Sequence, residues 1–97
     1  MFARTAKFQF KTDKLDEAIK LYQDGNIPAV KAQKGFHSIY LLVDRATGNT
    51  VSVAFWDSKD DMMATEERGL TKEWVSKFDD YFITPPSIER YEVCAQG

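Results

Sequence analysis

Two hydroxyl groups and two large aromatic rings recur at alternate positions of a hairpin in the middle of the chain. They belong to Ser38, Tyr40, Ser52 and Trp56, within the segment GFHSIYLLVDRATGNTVSVAFWDS (residues 35–58). Alternate residues of a strand share a face, so suitable pairing brings all four together. Aromatic walls with a few hydrogen-bonding groups are typical of small-molecule pockets. We expect these four residues to bind a substrate, and the pattern identifies no catalytic residue.

The proposed grouping depends on how the turn DRATGN closes. A three-residue loop with Gly48 in the left-handed conformation pairs Arg45 with Asn49. Opposed residue numbers then sum to 94, so that Ser38 faces Trp56. A shift of one residue would exchange the faces. The other side is then almost purely aliphatic and comprises Ile39, Leu41, Val43, Val51, Val53 and Phe55.

Two further positions carry charge or a titratable group. His37, the only histidine, faces Asp57 in this register, either as a general base or as a simple pairing at a strand end. Arg4 lies on an otherwise apolar strand side, where it either pairs with Glu89 or Glu92 or binds an anionic substrate group. No cluster of histidine, cysteine and carboxylate residues has metal-ligand spacing. We therefore expect no metal and no cofactor.

The composition excludes several classes of partner. The 97 residues predict one domain, residues 1–97. The 13 basic and 15 acidic residues are scattered and give a net charge of −2, so neither nucleic acid nor a membrane surface is an expected partner. No apolar run approaches the roughly 20 residues that span a bilayer. With a single cysteine, Cys94, a cytoplasmic location is the expectation.

The hydrophobic periodicity predicts the order β-α-β-β-α-β. Residues 2–11 alternate as a strand, and a helical stripe begins at Leu15 and resumes at Pro28. A second helix begins at Ser58, breaks at Gly69 and ends before the two prolines at 85–86, and a last strand follows. This order is the split pattern of an α+β, ferredoxin-like sheet with both helices on one face.

Helices on one face leave the other face of the sheet uncovered. Each large apolar side chain left in water forgoes about 1.5–3 kcal/mol, and several together approach the whole stability of a small domain, about 5–15 kcal/mol. We therefore expect a homodimer in which two sheets stack on their aliphatic sides. The side with Tyr40 and Trp56 would then lie under the helices.

The hairpin and the acidic segment that follows it resemble the antibiotic biosynthesis monooxygenase-like domains of the dimeric α+β barrel superfamily. The resemblance rests on the segment GFHSIYLLVDRATGNTVSVAFWDSKDDMMATEE, on FAR near the start and on YEV near the end, and covers nearly the whole chain. It implies a dimeric α+β barrel with a pocket in each subunit between sheet and helices.

The resemblance also implies a chemistry. Cofactor-free members oxidise electron-rich phenols to quinones with molecular oxygen, which the substrate phenolate itself activates. Those members carry a tryptophan at the end of the third strand and an asparagine four residues earlier. Trp56 matches the tryptophan, whereas the asparagine position is Ser52, whose hydroxyl can still donate to an oxyanion. The haem-degrading branch of this superfamily uses an asparagine on the first strand, and a tryptophan and an iron-ligating histidine on the second helix. These residues are absent here, since Thr5, Thr65 and Val75 occupy the nearest positions.

Two functions of different classes remain open from the sequence. One is a cofactor-independent monooxygenase, an oxidoreductase that acts on a small aromatic or apolar molecule. The other is a non-catalytic homodimer that binds a small ligand or is associated with stress. Oxygen uptake with phenols that bind distinguishes the two, and the identity of the substrate is not encoded in any motif.

Overall fold

Alternating side chains build four strands, which form a single antiparallel sheet. β1 spans Phe2–Phe10, β2 Phe36–Val43, β3 Asn49–Trp56 and β4 Phe82–Glu92. Their order across the sheet is β2-β3-β1-β4, as in a ferredoxin-like fold. The computed structural model describes all residues, 1–97. The predicted α+β class and ferredoxin-like sheet are confirmed.

The first helical connection is not a regular α-helix. After a 3₁₀ turn at Thr12–Lys14, α1 spans Leu15–Leu21, a π-helical segment spans Tyr22–Asn26, and α2 spans Ile27–Lys31. Pro28 lies in the first turn of α2, as predicted, because proline there gives up only an amide hydrogen that has no helical partner.

The second connection follows the sequence signals closely. α3 spans Lys59–Glu67 and α4 spans Leu70–Lys77, and a 3₁₀ turn at Asp79–Tyr81 leads into β4. The Ser58 hydroxyl accepts the amide hydrogen of Asp61 at 3.2 Å, which caps α3. Gly69, at φ 80°, ends this helix.

The prolines Pro85 and Pro86 do not lie outside the sheet. Both are part of β4, which is an outer strand of the sheet. The register of β4 against β1 shifts between Lys7 and Gln9, opposite this pair. The strand therefore continues past two residues that cannot donate to the ladder because it is an edge strand with an irregularity there.

Two apolar clusters lie between the sheet and the helices. The larger cluster centres on Phe10, Tyr22 and Phe78, which are at most 2% exposed. The smaller cluster joins Trp56 to Met62 of α3, and both are fully buried. Trp74 of α4 packs against the larger cluster. These clusters hold the helices on one face of the sheet.

The hairpin closes with four loop residues, not three. Asp44 donates its amide hydrogen to the Asn49 carbonyl at 2.8 Å, and Gly48 donates to the Asp44 carbonyl at 2.8 Å. The Asp44 carboxylate also accepts the amide hydrogen of Ala46 at 3.0 Å, and Thr47 Oγ1 accepts that of Asn49 at 3.1 Å. These two side chains thus provide hydrogen-bond acceptors for backbone amides of the longer loop. The left-handed Gly48, at φ 81°, is as predicted.

The extra loop residue makes the predicted strand register wrong by one. Ile39 pairs with Ala54 and Leu41 with Ser52, so the residue numbers sum to 93 instead of 94. A slip of one residue turns one strand over relative to the other. The prediction for β3 holds, because Ser52, Ala54 and Trp56 face the helices and are buried. For β2 the prediction is wrong, because the two faces of the strand are exchanged.

The side of the sheet away from the helices, which we name the open face, therefore mixes the two predicted sides. Ile39, Leu41 and Val43 pack on the core under the helices, not on the open face as predicted. Tyr40 and Leu42 are instead 54% and 55% exposed. In the β2–β3 hairpin the open face comprises Ser38, Tyr40, Leu42, Val51, Val53 and Phe55.

None of the helices has the length and apolar character that crossing a membrane requires.

The hairpin loop predicts a specific sensitivity to substitution. A Cβ atom on Gly48 would lie 2.1 Å from the Phe10 carbonyl oxygen, whereas one on Gly69 would meet nothing within 4 Å. Both glycines have positive φ, so Gly69→Ala should cost about 1–2 kcal/mol of unfolding free energy. Gly48→Ala should cost clearly more, as measured by urea unfolding. Equal costs would contradict close packing of the loop against β1.

Candidate functional site

A small cavity lined by polar side chains lies between the sheet and the helical layer. Arg4 of β1, Ser52 of β3, and Tyr22 and Asn26 of the π-helical segment line it together with apolar residues. Its volume is about 20 Å³, which is room for a group about the size of one water molecule. All four polar residues are at most 7% exposed. Buried polar groups at such density in a small core indicate a functional site.

The π-helical segment directs two of these side chains into the cavity. The amide of Ile27 donates to the Tyr22 carbonyl, five residues earlier, and the next residue, Pro28, has no amide hydrogen to donate. The wider turn brings Tyr22 and Asn26, four residues apart, to the same cavity. Single π-helical turns within α-helices are frequent at functional sites.

Tyr22 and Ser52 form a buried hydroxyl pair. Their Oη and Oγ atoms are 2.6 Å apart. Burial raises the pKa of Tyr22 to about 12, although the hydrogen bond with Ser52 and the positive charge of Arg4 act in the opposite direction. Tyr22 is therefore a neutral phenol at physiological pH. Two hydroxyl groups carry two hydrogens and the pair uses one, so the second can be donated to a bound group.

Arg4 is a buried cation with incomplete compensation. Its Nη1 atom lies 3.8 Å from Glu66 Oε2, and its guanidinium carbon lies 5.7 Å from the centre of the Trp56 ring. Burial lowers the pKa of Arg4, and the nearby Glu66 opposes that shift. Nη1 has no hydrogen-bond partner. The prediction that Arg4 pairs with Glu89 or Glu92 is wrong, because Arg4 faces the helical layer.

Glu66 is held mainly by another arginine. Arg90 Nε donates to Glu66 Oε2 at 2.9 Å, and Arg90 Nη2 donates to Oε1. These hydrogen bonds are the largest influence on Glu66 and lower its pKa. Glu66 therefore stays ionised and joins α3 to β4.

The structure brings together two of the four predicted substrate-binding residues. Ser52 lines the cavity, and Trp56 lies nearby in the buried layer, edge-to-face with Phe36 at 5.9 Å between ring centres. Tyr40 and Ser38 lie on the open face. The prediction that all four share one face is wrong, because the hairpin loop has four residues. Direct binding of a substrate by any of them stays a prediction.

The proposed His37–Asp57 pair does not form. The register shifts between Phe36 and Ser38, which leaves His37 as an extra, exposed residue. Its Nδ1 atom lies 3.0 Å from Ser38 Oγ. The interpretation of His37 as a base oriented by Asp57 is therefore wrong, and the residue lies away from the cavity. The structure contains no group of three or more His, Cys, Asp or Glu residues suited to a metal ion.

Sequence reasoning missed Tyr22 and Asn26. Tyr22 fits the apolar stripe of a helix, which favours a place in the core, and its ring does lie there. Gly25 and Pro28 indicate a weak point in this helix, but periodicity does not distinguish a π-helical turn from a break. The signal that the sequence does contain is an asparagine, Asn26, between Gly25 and the Ile27–Pro28 pair.

Comparison with known proteins identifies the family. The sequence model of the family described as antibiotic biosynthesis monooxygenase matches residues 1–77. The chain belongs to this family. Two uncharacterized proteins of Mycobacterium tuberculosis are 25% identical to it over 95 residues, which is 98% of this chain and 42% of each relative. The chain thus spans less than half the length of these curated relatives.

Solved structures share the fold of this family member. A conserved protein from Methanosarcina mazei superposes with a TM-score of 0.78 at 15% identity, over 94% of this chain and 90% of the other. A monooxygenase from the gene ActVA-Orf6 of Streptomyces coelicolor, in complex with nanaomycin D, gives a TM-score of 0.74 at 16% identity, over 98% and 88%. At such identities the likeness concerns the fold alone.

The hydroxyl pair predicts energetic coupling between Tyr22 and Ser52. Tyr22→Phe and Ser52→Ala should each lower the unfolding free energy by about 1–3 kcal/mol, because each leaves the remaining buried hydroxyl without its hydrogen-bond partner. The double variant should cost less than the sum, with a coupling of about 1 kcal/mol. Urea unfolding of all four proteins measures this cycle. Strictly additive losses would show that the 2.6 Å contact contributes no stability.

Proposed function

We propose that the chain binds a small aromatic or otherwise apolar molecule between the sheet and the helices and oxidises it with molecular oxygen, without a cofactor. Membership of the antibiotic biosynthesis monooxygenase family supports the reaction class. The observation that carries the proposal is the cavity under the helices, where the buried Tyr22–Ser52 pair has a hydroxyl hydrogen to donate. Fixed donors of this kind stabilise an oxyanion.

In this proposal the substrate is an electron-rich phenol. One oxygen atom of O₂ becomes the second quinone oxygen, and the other leaves as water with the two hydrogens that the phenol loses. The hydroxyl pair of Tyr22 and Ser52 donates to the phenolate oxygen, so that Ser52 takes the part that the family's asparagine performs. Trp56, whose ring lies against Arg4, packs with Met62 in the smaller apolar cluster.

The volume of the cavity requires that a ligand extend beyond it. Pockets for small molecules measure about 300–1,000 Å³, whereas the cavity measures about 20 Å³. A groove of about 660 Å³ runs along α3, α4 and β4. Ile88 lines both the groove and the cavity. We propose that a ligand occupies the groove and displaces Ile88 to reach the hydroxyl pair.

A second function, binding without turnover, is favoured by the absence of a base in the cavity. None of the ten residues that line it is aspartate, glutamate or histidine. Tyr22, with a pKa of about 12, does not accept a proton at neutral pH. In the oxidising function the phenol must therefore lose its proton to solvent, whereas a non-catalytic ligand-binding protein needs no base.

Oxygen consumption tests the oxidising function. We expect the purified protein, with a metal chelator present, to consume oxygen and form quinone from anthrone-like phenols. Ser52→Ala should lower this rate at least about tenfold, since removing one oxyanion donor typically costs 10²–10³. Ser76→Ala, the same change on the exposed side of α4, is the matched control.

The outcomes separate the two functions. Binding of a phenol with no oxygen uptake supports the non-catalytic function and contradicts the enzyme. Absence of binding by every phenol contradicts the oxidising function, and it contradicts the non-catalytic function for this class of ligand.

We also propose that the protein is a homodimer through the open face. Tyr40, Leu42 and Tyr91 are 54%, 55% and 47% exposed, and Phe55 of β3 lies beside Tyr40, with 6.4 Å between ring centres. Side chains of this size, grouped on one face, form a patch of the kind that marks an interface. A second copy of the sheet has the same apolar face and covers it by two-fold symmetry.

Sedimentation velocity at micromolar concentration tests the dimer. We expect a particle of twice the 11.1 kDa chain mass. Leu42→Lys should shift it to monomer, because the charge would be buried without a partner. Gln23→Lys places the same charge on the exposed side of the helical layer and should leave the dimer intact. A stably folded monomer of the unmodified chain contradicts the proposal.

A further inference from the structure

The cavity contains donors that the proposed oxidation does not use. We infer that Arg4 and Asn26 form a subsite for a carboxylate group, so that the ligand of this protein is an aromatic or apolar acid. This inference rests on the proposed binding of a small molecule between sheet and helices, and it does not require turnover.

The first support is a pair of buried donors without partners. Arg4 is 7% exposed and Asn26 is 5% exposed, and both line the same cavity. Arg4 Nη1 and Asn26 Nδ2 have no hydrogen-bond partner. A buried donor without a partner costs about 1–3 kcal/mol. Two such donors, carried by different elements and facing one cavity, indicate a shared acceptor.

The second support is the local balance of charge. Two guanidinium groups, Arg4 and Arg90, lie against a single carboxylate, that of Glu66. They are directly opposed on the neighbouring strands β1 and β4, an arrangement that is unfavourable for like charges. Arg90 donates two hydrogen bonds to Glu66, whereas the nearest nitrogen of Arg4 lies 3.8 Å from that carboxylate. The cluster therefore carries one uncompensated positive charge beside the cavity.

A water molecule in the cavity would satisfy the donors but would leave this charge uncompensated. An anion would accept hydrogen bonds from the donors and would also compensate the charge. A purely structural role for Arg4, between Trp56 and Glu66, accounts neither for the free Nη1 nor for the unpartnered amide of Asn26. The geometry thus favours an anionic acceptor.

The size of the cavity selects among anions. At about 20 Å³ it has room for a group of about one water molecule in size, which suits one oxygen atom of a carboxylate and is too small for a whole phosphate or sulfate group. A carboxylate supplies two acceptor oxygens, and its planar shape matches a guanidinium. The rest of such an acid would lie in the 660 Å³ groove on the other side of Ile88, with its apolar part against Val75, Pro85 and Pro86.

Calorimetric titration of the full chain with matched acids and amides tests the subsite. The probes are benzoate, salicylate and 1-naphthoate, each compared with its primary amide at about pH 7, where the acids are ionised. The shapes are nearly equal, so a difference in affinity measures recognition of charge. We expect at least one acid to bind at least about tenfold more tightly than its amide, as one charge-assisted contact provides.

Variants assign that preference to Arg4. Arg4→Gln retains N–H donors but removes the charge, and should reduce the acid-over-amide ratio to near one while the affinity for the amide changes little. Arg45→Gln removes the same charge from the surface, where Arg45 pairs with Asp16, and should leave the ratio unchanged. If Arg4→Gln fails to fold, Arg4→Lys should keep the preference for acids in weakened form, because the charge is retained and the planar fork is lost.

The inference is overturned if acids and amides bind equally, if no acid binds, or if Arg4→Gln weakens both kinds of probe alike. Its failure is distinct from failure of the proposed function. Oxygen uptake with neutral phenols and no preference for acids would leave the oxidation intact and remove the subsite. A preference for acids without oxygen uptake would leave the subsite intact and remove the oxidation.

Discussion

The hydrogen-bond register of β3 with its two neighbours determines which side chains meet beneath the helices. β3 lies between β2 and β1, so a slip of one residue on either side would turn over a whole strand. The observed pairing places Ser52 opposite Ala6 and Leu41. The small Ala6 side chain leaves room on the helical side, and Tyr22 fills it by reaching the Ser52 hydroxyl. The polar cavity thus depends on sheet pairing before it depends on any helix.

The polar cluster beneath the helices is costly for a domain of 97 residues. A domain of this size has a small core and a stability of only about 5–15 kcal/mol. Buried ion pairs seldom stabilise more than well-packed apolar side chains do, and Arg4 is in addition only partly compensated. Its aliphatic stem and the Trp56 ring recover part of the cost through packing. The arrangement is easier to explain by ligand recognition than by stability.

Most of the fold and about half of the candidate site could be predicted from the sequence. Alternating and helical periodicities are local, and they predicted the element order, the Ser58 cap and the break at Gly69. The register depends on a single loop, where Asp44 and Thr47 satisfy an extra residue through their side chains. Hydrogen bonds of this kind do not alter the hydrophobic periodicity, so the periodicity predicts the wrong face for Tyr40 and Ser38. The role of Tyr22 was hidden for a different reason, because its ring belongs to the core while its hydroxyl belongs to the cavity.

The two prolines in β4 also constrain how copies of this molecule can associate. Growth of an open-ended fibril by strand addition needs a continuous row of backbone donors and acceptors along both outer strands. Pro85 and Pro86 remove two successive amide hydrogens from one of those strands. The proposed contact through the open face would join copies broadside, while the two prolines interrupt edge-to-edge strand pairing at one border of the sheet. An exposed apolar face and an outer strand interrupted by prolines, on the same sheet, favour assemblies that stop at a finite size.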